Sequence, residues 1–309
     1  MSSLFAVFGN PILHSKSPQL FRSVFKGMGI DAFYTRIRPQ SASDILEVIS
    51  DLNISGANVT APFKEELIGL LGSLSPEAKA IGAVNTIVNS HGVLTGYNTD
   101  WIGVVQSLTE AGVTVEGSRC LVLGAGGAAR AATYGLVRTG AKVFVANRTF
   151  EKAQRIALEF GCEAISLDDI GAQGNFDFAV STLLPEVELP FPNGIPFPIL
   201  LDASYKPSAL SRLAQGQGVK LIGGERWLVH QAVGAFAYYF GEQANQELFA
   251  MGLSNALAQS DVSYQFSADI ADASQVIAQQ TELIISSKGL TKNQLNDILN
   301  EEYSKAFKR

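Results

Sequence analysis

The stretch NVTAPFKEEL (58–67) sets Lys64 at the end of an apolar, turn-rich run, behind Asn58 and Thr60. A lysine ordinarily stands on a surface as a solvated charge, so one placed here invites a chemical reading. Three further polar clusters share the first hundred residues: His14-Ser15-Lys16-Ser17, Val84-Asn85-Thr86 and Tyr97-Asn98-Thr99-Asp100. Each falls at the end of an expected element. Small hydroxyls and amides suit a small polyhydroxy ligand. Ser15 and Ser17 can hold a carboxylate through their hydroxyls and neighbouring N–H groups, and Asn85 and Asp100 can read adjacent hydroxyls. Taken singly, each cluster is explained by a turn or a helix cap, as for Ser17 and Asn98. Taken together they suggest one crevice, because ligands of open parallel sheets gather beyond the carboxyl ends of the strands.

A second constellation begins with the strand RCLVLG, the loop GAGGAA and the helix ARAATYGLVRTG. Gly124, Gly126 and Ala129 spell G-x-G-x-x-A between a strand and a helix, the context in which that pattern is informative. The glycines allow a tight turn and close backbone approach, and the helix N-terminus offers free N–H groups and a positive dipole end to a pyrophosphate. A glycine-rich turn without a ligand is the plain alternative. The next strand, AKVFVANR, ends in Asn147-Arg148-Thr149, where an NAD site would carry a carboxylate for the ribose 2′-hydroxyl. A carboxylate would repel a 2′-phosphate, whereas Arg148 can fork onto it, with the Thr149 hydroxyl and Lys152 nearby. A solvated strand-end arginine is the alternative; the combination favours NADP over NAD. The candidate cofactor-binding residues are Gly124, Ala125, Gly126, Gly127, Ala128, Asn147, Arg148, Thr149, Lys152 and Gly224.

The elements that must position these groups alternate. Strands are expected at 4–9, 32–37, 56–60, 84–89, 92–97, 119–124, 141–148, 176–182 and 197–204. Helices are expected at 17–29, 41–52, 63–72, 98–112, 129–140, 149–161 and 226–241, the last apolar nearly all round and expected to lie between domains. That order implies βαβ units around mostly parallel sheets. The chain has 309 residues, 47% hydrophobic and 17% charged, which is an ordinary globular balance. Its length suggests two domains. A net charge of −6 argues against nucleic-acid binding. No run reaches a membrane span, and MSSLFAVFGN lacks the marks of a signal peptide. Cys120 and Cys162 have no metal spacing, nor do His14, His91 and His230, so reduced thiols, no metal and a cytoplasmic protein are expected. A zinc enzyme or a hydrolase with a G-x-S-x-G elbow has no support.

In order, GNPILHSKSP, NVTAPFK, GAVNT, GYNTD, VLGAGGAARA, NRT, DASYKP (202–207) and the HQA helix (230–232) closely resemble shikimate dehydrogenase, over about residues 8 to 241. The resemblance implies an NADP-dependent oxidoreductase that interconverts 3-dehydroshikimate and shikimate in aromatic amino-acid biosynthesis. It implies Lys64 and Asp100 as the catalytic pair, Ser15 and Ser17 as carboxylate binders helped by Tyr205, and Thr60, Asn85 and Gln231 as hydroxyl binders. The implied α/β fold has an N-terminal open, mostly parallel-sheet substrate-binding domain at 1–100, joined by helix 98–112 and the returning helices 226–309. A Rossmann-type NADP-binding domain occupies 113–225. The expected partner is a small-molecule substrate, and the protein a monomer or homodimer. The alternatives are a paralogue acting on quinate or an amino analogue, or a non-catalytic metabolite sensor, which would be expected to lack Lys64 or Asp100.

Three departures from the family pattern stand out. Phe21-Arg22 replaces the usual His-Asn, Val180-Ser181-Thr182 with Pro185 replaces Asn-Ala-Thr and a glycine, and Trp227 replaces a methionine. The chain also runs some 65 residues past the usual end. Residues 245–309 read as a helical C-terminal tail, with amphipathic helices over 267–287 and 291–303, the second opened by a capping box.

Overall fold

In chain order the computed structural model contains β1 (Ser3–Phe8), α1 (Ser17–Met28), β2 (Ala32–Ile37), α2 (Ala42–Asp51), β3 (Gly56–Val59), β4 (Ser73–Leu74), α3 (Pro76–Ile81), β5 (Thr86–Ser90) and β6 (Val93–Tyr97). There follow α4 (Asp100–Glu110), β7 (Arg119–Leu123), α5 (Gly127–Arg138), β8 (Lys142–Ala146), α6 (Phe150–Phe160), β9 (Glu163–Ile165) and β10 (Phe178–Ser181). The last are β11 (Ile199–Asp202), α7 (Ala209–Gly216), β12 (Lys220–Ile222), α8 (Gly224–Phe240) and α9 (Gln246–Ala258). The structure describes residues 3–189, 191, 194–242 and 244–258. The tail helices expected at 267–287 and 291–303 lie outside them. Two units divide the chain. One takes the residues up to Ser75, Val84–Tyr97 and the chain from Phe236; the other takes Pro76–Ala83 and Asn98–Ala235.

The first unit is built on a sheet of order β2-β1-β3-β5-β6-β4. β1 pairs parallel with β2 and β3, while β5 runs antiparallel to both β3 and β6. Phe8 therefore lies opposite Val59, Asn58 opposite Thr86, and Thr86 opposite Tyr97. The ends of β1, β3 and β6 and the start of β5 share one edge. Helix α2 opens on Ser41 with a capping box: the Asp44 N–H donates to Ser41 Oγ at 3.2 Å, and the Ser41 N–H donates to Asp44 Oδ2 at 3.0 Å. Helix α1 stops at Gly29, whose φ of 67° is the left-handed cap glycine adopts without strain. Helix α9 lies on α1, with Phe249 and Leu253 buried. A Cβ on Gly27 would meet Leu248, and one on Gly252 would meet Gln19 O at 3.0 Å, so two glycines permit the close approach.

The stretch 63–72 departs from the helix expected of it. Turns lead into a single 3₁₀ turn, Glu66–Gly69. The reason is tertiary. An α-helix needs the Lys64 carbonyl for the Ile68 N–H, but that carbonyl accepts from the Val84 N–H at 2.8 Å, and Ile68 turns to Glu65 O at 3.2 Å. The bond that breaks the helix ties Lys64 to the GAVNT stretch.

The second unit carries an all-parallel sheet of order β12-β11-β10-β7-β8-β9. Its strands are near-continuous apolar runs, as a sheet covered on both faces requires. Cys120, Val122, Val145, Phe178 and Val180 fill one face with Ala129, Ala132 and Leu136 of α5; Leu121, Leu123, Phe144 and Ala179 fill the other with Leu210 and Ala214 of α7. The short elements β9, α7 and β12 complete it. No helix among the described residues is long and apolar enough to cross a membrane.

Candidate active site

In the first unit, Ser15 and Ser17 sit where the β1 loop meets α1, both buried. The Ser17 N–H donates to Ser15 Oγ at 3.4 Å, and Ser15 Oγ donates to Ser17 Oγ at 3.3 Å. Behind this loop lies Arg36 of β2, itself only 3% exposed. Its Nε and one terminal nitrogen both donate to Ser15 O, at 2.9 and 2.5 Å, and the latter also donates to Gln19 Oε1 at 2.9 Å. A buried guanidinium thus sets the backbone of the serine pair and adds positive charge beside it.

The same edge carries Thr60, Lys64 and Asn85. Thr60 N–H donates to Phe8 O at 2.8 Å, which continues the β1–β3 pairing one step past the strand. Thr60 and Lys64 are half-buried. Asn85 is 2% exposed, and its backbone is held on both sides: its N–H donates to Tyr97 O at 3.0 Å, and its carbonyl accepts from Val59 N–H at 2.8 Å. The sheet therefore brings Ser15, Ser17, Thr60, Lys64 and Asn85 to one edge. Tyr97 ends β6 there, and Asn98-Thr99-Asp100 follow it in the chain.

In the second unit, Asp100 opens α4, and its N–H donates to Asn98 Oδ1 at 3.0 Å. Asn98 is locked in turn by its Nδ2, which donates to Ala83 O at 2.9 Å. Thr99 Oγ1 reaches Gln231 Oε1 of α8 at a long 3.5 Å, and Gln231 Nε2 donates to Leu228 O at 3.1 Å. Tyr205 stands on the loop after β11. Burial pushes its phenol up to about 12, with the Asp100 and Glu225 carboxylates adding to the effect, so it remains a hydroxyl donor across the working pH range. Asp202 anchors that loop: it accepts from Ser208 Oγ at 2.5 Å and from Ser204 N–H at 3.1 Å, and burial raises its carboxyl. Gly224 starts α8 against Ala203 O and Ser204 O, where any Cβ would collide. Asp100, Tyr205, Gln231 and Gly224 all belong to this unit.

The glycine-rich loop joins β7 to α5. Gly124 has a φ of 118° and faces Thr182, whose Oγ1 would collide with any Cβ there. Thr182 Oγ1 donates to Leu123 O at 3.0 Å and so backs the turn. Gly126 caps α5 in extended conformation with open space beside it, and the first helical turn holds no acidic residue. A phosphate would meet the free N–H groups of α5 with room to approach. β8 pairs with β7 so that Ala146 lies opposite Leu123, which delivers Asn147, Arg148 and Thr149 beside the glycine loop. Asn147 Nδ2 donates to Thr149 O at 3.0 Å. Arg148, Thr149 and Lys152 are exposed, and the Thr149 side chain caps nothing, so its hydroxyl is available to a ligand.

Two family models match the chain. The shikimate dehydrogenase substrate binding domain covers residues 7–87, and shikimate / quinate 5-dehydrogenase covers residues 106–183. Shikimate dehydrogenase (NADP(+)) of Aquifex aeolicus is 37% identical over 248 residues, 78% of this chain and 92% of the relative. The same-named protein of Pyrococcus furiosus is 37% identical over 256 residues, 80% of this chain and 93% of the relative. The chain belongs to the shikimate dehydrogenase family. Among solved structures, the Thermus thermophilus shikimate 5-dehydrogenase in complex with NADP(H) and shikimate matches with a TM-score of 0.72 at 31% identity, covering 82% of this chain and 99% of that one. The Aquifex aeolicus enzyme matches at 0.75 and 35%, covering 82% and 97%.

Within this shikimate dehydrogenase frame, the departures resolve into packing. Phe21 is fully buried and stacks on Tyr34 at 4.4 Å and 12°. Val180 is a core residue of β10. Trp227 is 5% exposed and lies against α4 at Gly103, where a Cβ would meet its backbone carbonyl at 2.8 Å. Two residues of consequence, Tyr34 and Arg36, escaped the sequence reading. Their spacing of two along β2 places both on one face, but the polar run Tyr34-Thr35-Arg36 has no alternation to mark that face in the sequence.

Proposed function

We propose that this chain interconverts 3-dehydroshikimate and shikimate with NADP(H), a step of aromatic amino-acid biosynthesis. The carrying observation is the gathering of Ser15, Ser17, Thr60, Lys64 and Asn85 at one sheet edge, in a chain whose relatives bear that name. The roles follow from chemistry. Ser15 and Ser17 bind the ring carboxylate, with Tyr205 as a further donor. Thr60, Asn85 and Gln231 bind ring hydroxyls. Lys64 and Asp100 are the catalytic pair: the ammonium stabilises charge growing on the substrate oxygen and supplies its proton.

The second unit's residues fit a dinucleotide phosphate. Gly124–Ala128 and the α5 N-terminus take the pyrophosphate, Arg148, Thr149 and Lys152 the 2′-phosphate, and Gly224 gives close approach beside Tyr205. When bound, the cofactor supplies the hydride; the protein supplies position and field. The reading assigns the substrate domain to residues 1–100 with the returning C-terminal helices and the NADP-binding domain to 113–225, whereas the compact units of the structure give 76–83, 98–112 and 226–235 to the second unit. The reading places the enzyme in the cytoplasm as a monomer or homodimer. The unpaired Cys120 and Cys162 support a reducing compartment; burial pushes both thiols up, Cys162 to about 11, which leaves them unreactive.

A panel of shikimate and quinate, each with NADP⁺ and NAD⁺, tests the assignment. Shikimate with NADP⁺ should give the highest kcat/KM; a preference for quinate would shift the substrate to the second compound named by the matching family model. Lys64→Met should lower kcat by about 10²-fold or more, the range for a general acid or oxyanion donor. A near-normal kcat removes Lys64 from the mechanism.

A further inference from the structure

The first unit holds a line of buried polar side chains behind Asn85. Tyr34 Oη donates to Asn58 Oδ1 at 2.6 Å. Asn58 Nδ2 donates to the Asn85 carbonyl at 3.3 Å and to Thr86 Oγ1 at 3.2 Å. Thr86 Oγ1 donates to Asn85 Oδ1 at 2.9 Å. Tyr34 and Thr86 are fully buried, Asn58 is 4% exposed and Asn85 2%. Their donor and acceptor assignments follow from the partners. A backbone carbonyl only accepts, so the Asn58 amide must turn its nitrogen towards Asn85 O and Thr86. Its oxygen then faces Tyr34, which must donate. The Thr86 hydroxyl, receiving an N–H, sends its own proton to Asn85 Oδ1. Every orientation is set once the Asn85 backbone is set, and that backbone is bonded to Tyr97 and Val59.

We propose that Tyr34, Asn58 and Thr86 are positioning residues that fix the Asn85 amide, so that Asn85 meets its ligand chiefly as an N–H donor. This rests on the shikimate dehydrogenase reading and deepens it. The substrate oxygen opposite Asn85 is read as an acceptor, and its proton is left to be given elsewhere, which discriminates a hydroxyl or carbonyl oxygen from an ammonium at that ring position. An amine analogue protonated there would set N–H against N–H. Loss of the Thr86 hydroxyl removes the donor that engages Asn85 Oδ1, and with it the preference of the amide for presenting its N–H group.

The test uses Thr86→Val, which keeps shape and removes the hydroxyl, and Thr86→Ser, which keeps the hydroxyl. Thr86→Val should raise KM for shikimate by about 3–10-fold, the worth of one net hydrogen bond, with kcat changed far less. Thr86→Ser should restore the wild-type KM. An unchanged KM in Thr86→Val, or a serine variant as impaired as the valine, overturns the proposal. A second arm needs no activity. Tyr34 and Thr86 are linked through Asn58, so the loss in melting temperature of Tyr34→Phe with Thr86→Val should be clearly smaller than the two single losses added. Additive losses overturn the relay. A wild-type protein inactive on shikimate would fell the functional reading, and the melting arm would still decide the relay.

Discussion

Arg148→Ala isolates cofactor choice from everything else in the molecule. Arg148 is exposed at the end of β8 and bonds no other described residue, so its loss should leave stability within about 0.5 kcal/mol, as for ordinary surface substitutions. What it can lose is the 2′-phosphate. A charge-assisted hydrogen bond contributes roughly 1.5–3 kcal/mol. In an exposed site the Coulombic part is near the water limit of about 1 kcal/mol at 4 Å, so the lower half of that range applies. Lys152, one turn into α6, remains. The expected loss is about 2 kcal/mol, a rise of about 30-fold in the NADP⁺ Kd. NAD⁺ lacks the phosphate, and its Kd should stay within about twofold. The NADP⁺ effect should shrink with added salt, since screening lengths fall to about 3 Å at 1 M. Titration calorimetry with both cofactors, at low and high salt, reads all of this. Equal weakening of both, or a drop in melting temperature, would show that Arg148 holds structure and would refute the reasoning.

Arg36→Met should raise KM for shikimate by about 10-fold or more by releasing Ser15 O and Gln19 from a charged donor, while leaving the NADP⁺ Kd unchanged; steady-state kinetics and cofactor titration separate the two. Tyr239 buries a hydroxyl with no partner among the described residues, so Tyr239→Phe should keep or raise the melting temperature, and a clear fall would expose a bond the packing does not show. Burial raises the phenols of Tyr34, Tyr205 and Tyr239 above their ordinary value. The stability they contribute is then present below pH ~10 and lost as pH rises through their folded values, so the melting temperature should drop steeply above pH ~10, less so in Tyr239→Phe. Phe249→Ala, at a fully buried site, should cost about 3–5 kcal/mol, a fall of roughly 6–20 °C in a thermal melt.

Where local and tertiary preferences agree, the sequence was legible. AFYTRI forms β2 over the residues its β-rich composition marks, and the Ser41 cap starts α2 where a serine before an apolar period should. The stretch 63–72 misled because its apolar residues keep helical spacing while the Lys64 carbonyl is claimed by Val84, a partner no local pattern reveals. β4, α3, β9 and β12 are too short to develop a period of their own. The placement of the candidate residues was legible where motifs adjoin element ends, as at Ser15 before α1, Thr60 after β3, Asn85 before β5 and the glycine loop after β7. It was not legible at Tyr34 and Arg36, whose roles arise from pairing across strands: an arginine in a strand looks like a surface charge until burial shows otherwise.

Phe21 shows how a departure from a family pattern acquires meaning from its neighbours. Its ring lies on Tyr34 nearly parallel, and Phe249 of α9 meets its other surroundings edge-on at 5.2 Å and 85°. Histidine, usual at this position in the family, would bring a polar ring into a site walled by Phe25, Tyr34, Tyr239 and Phe249, where an unpaired nitrogen is costly. Phenylalanine carries no such demand and holds the Tyr34 ring plane by packing alone. That plane directs the Tyr34 hydroxyl towards Asn58, and through it the amide of Asn85. In this chain the aromatic packing of α1 and α9 therefore reaches the ligand-reading edge of the sheet through Tyr34. Phe21→Leu, which leaves the core apolar but removes the stacked face, should raise KM for shikimate more than it lowers kcat. A thermal loss with unchanged KM would confine Phe21 to the core.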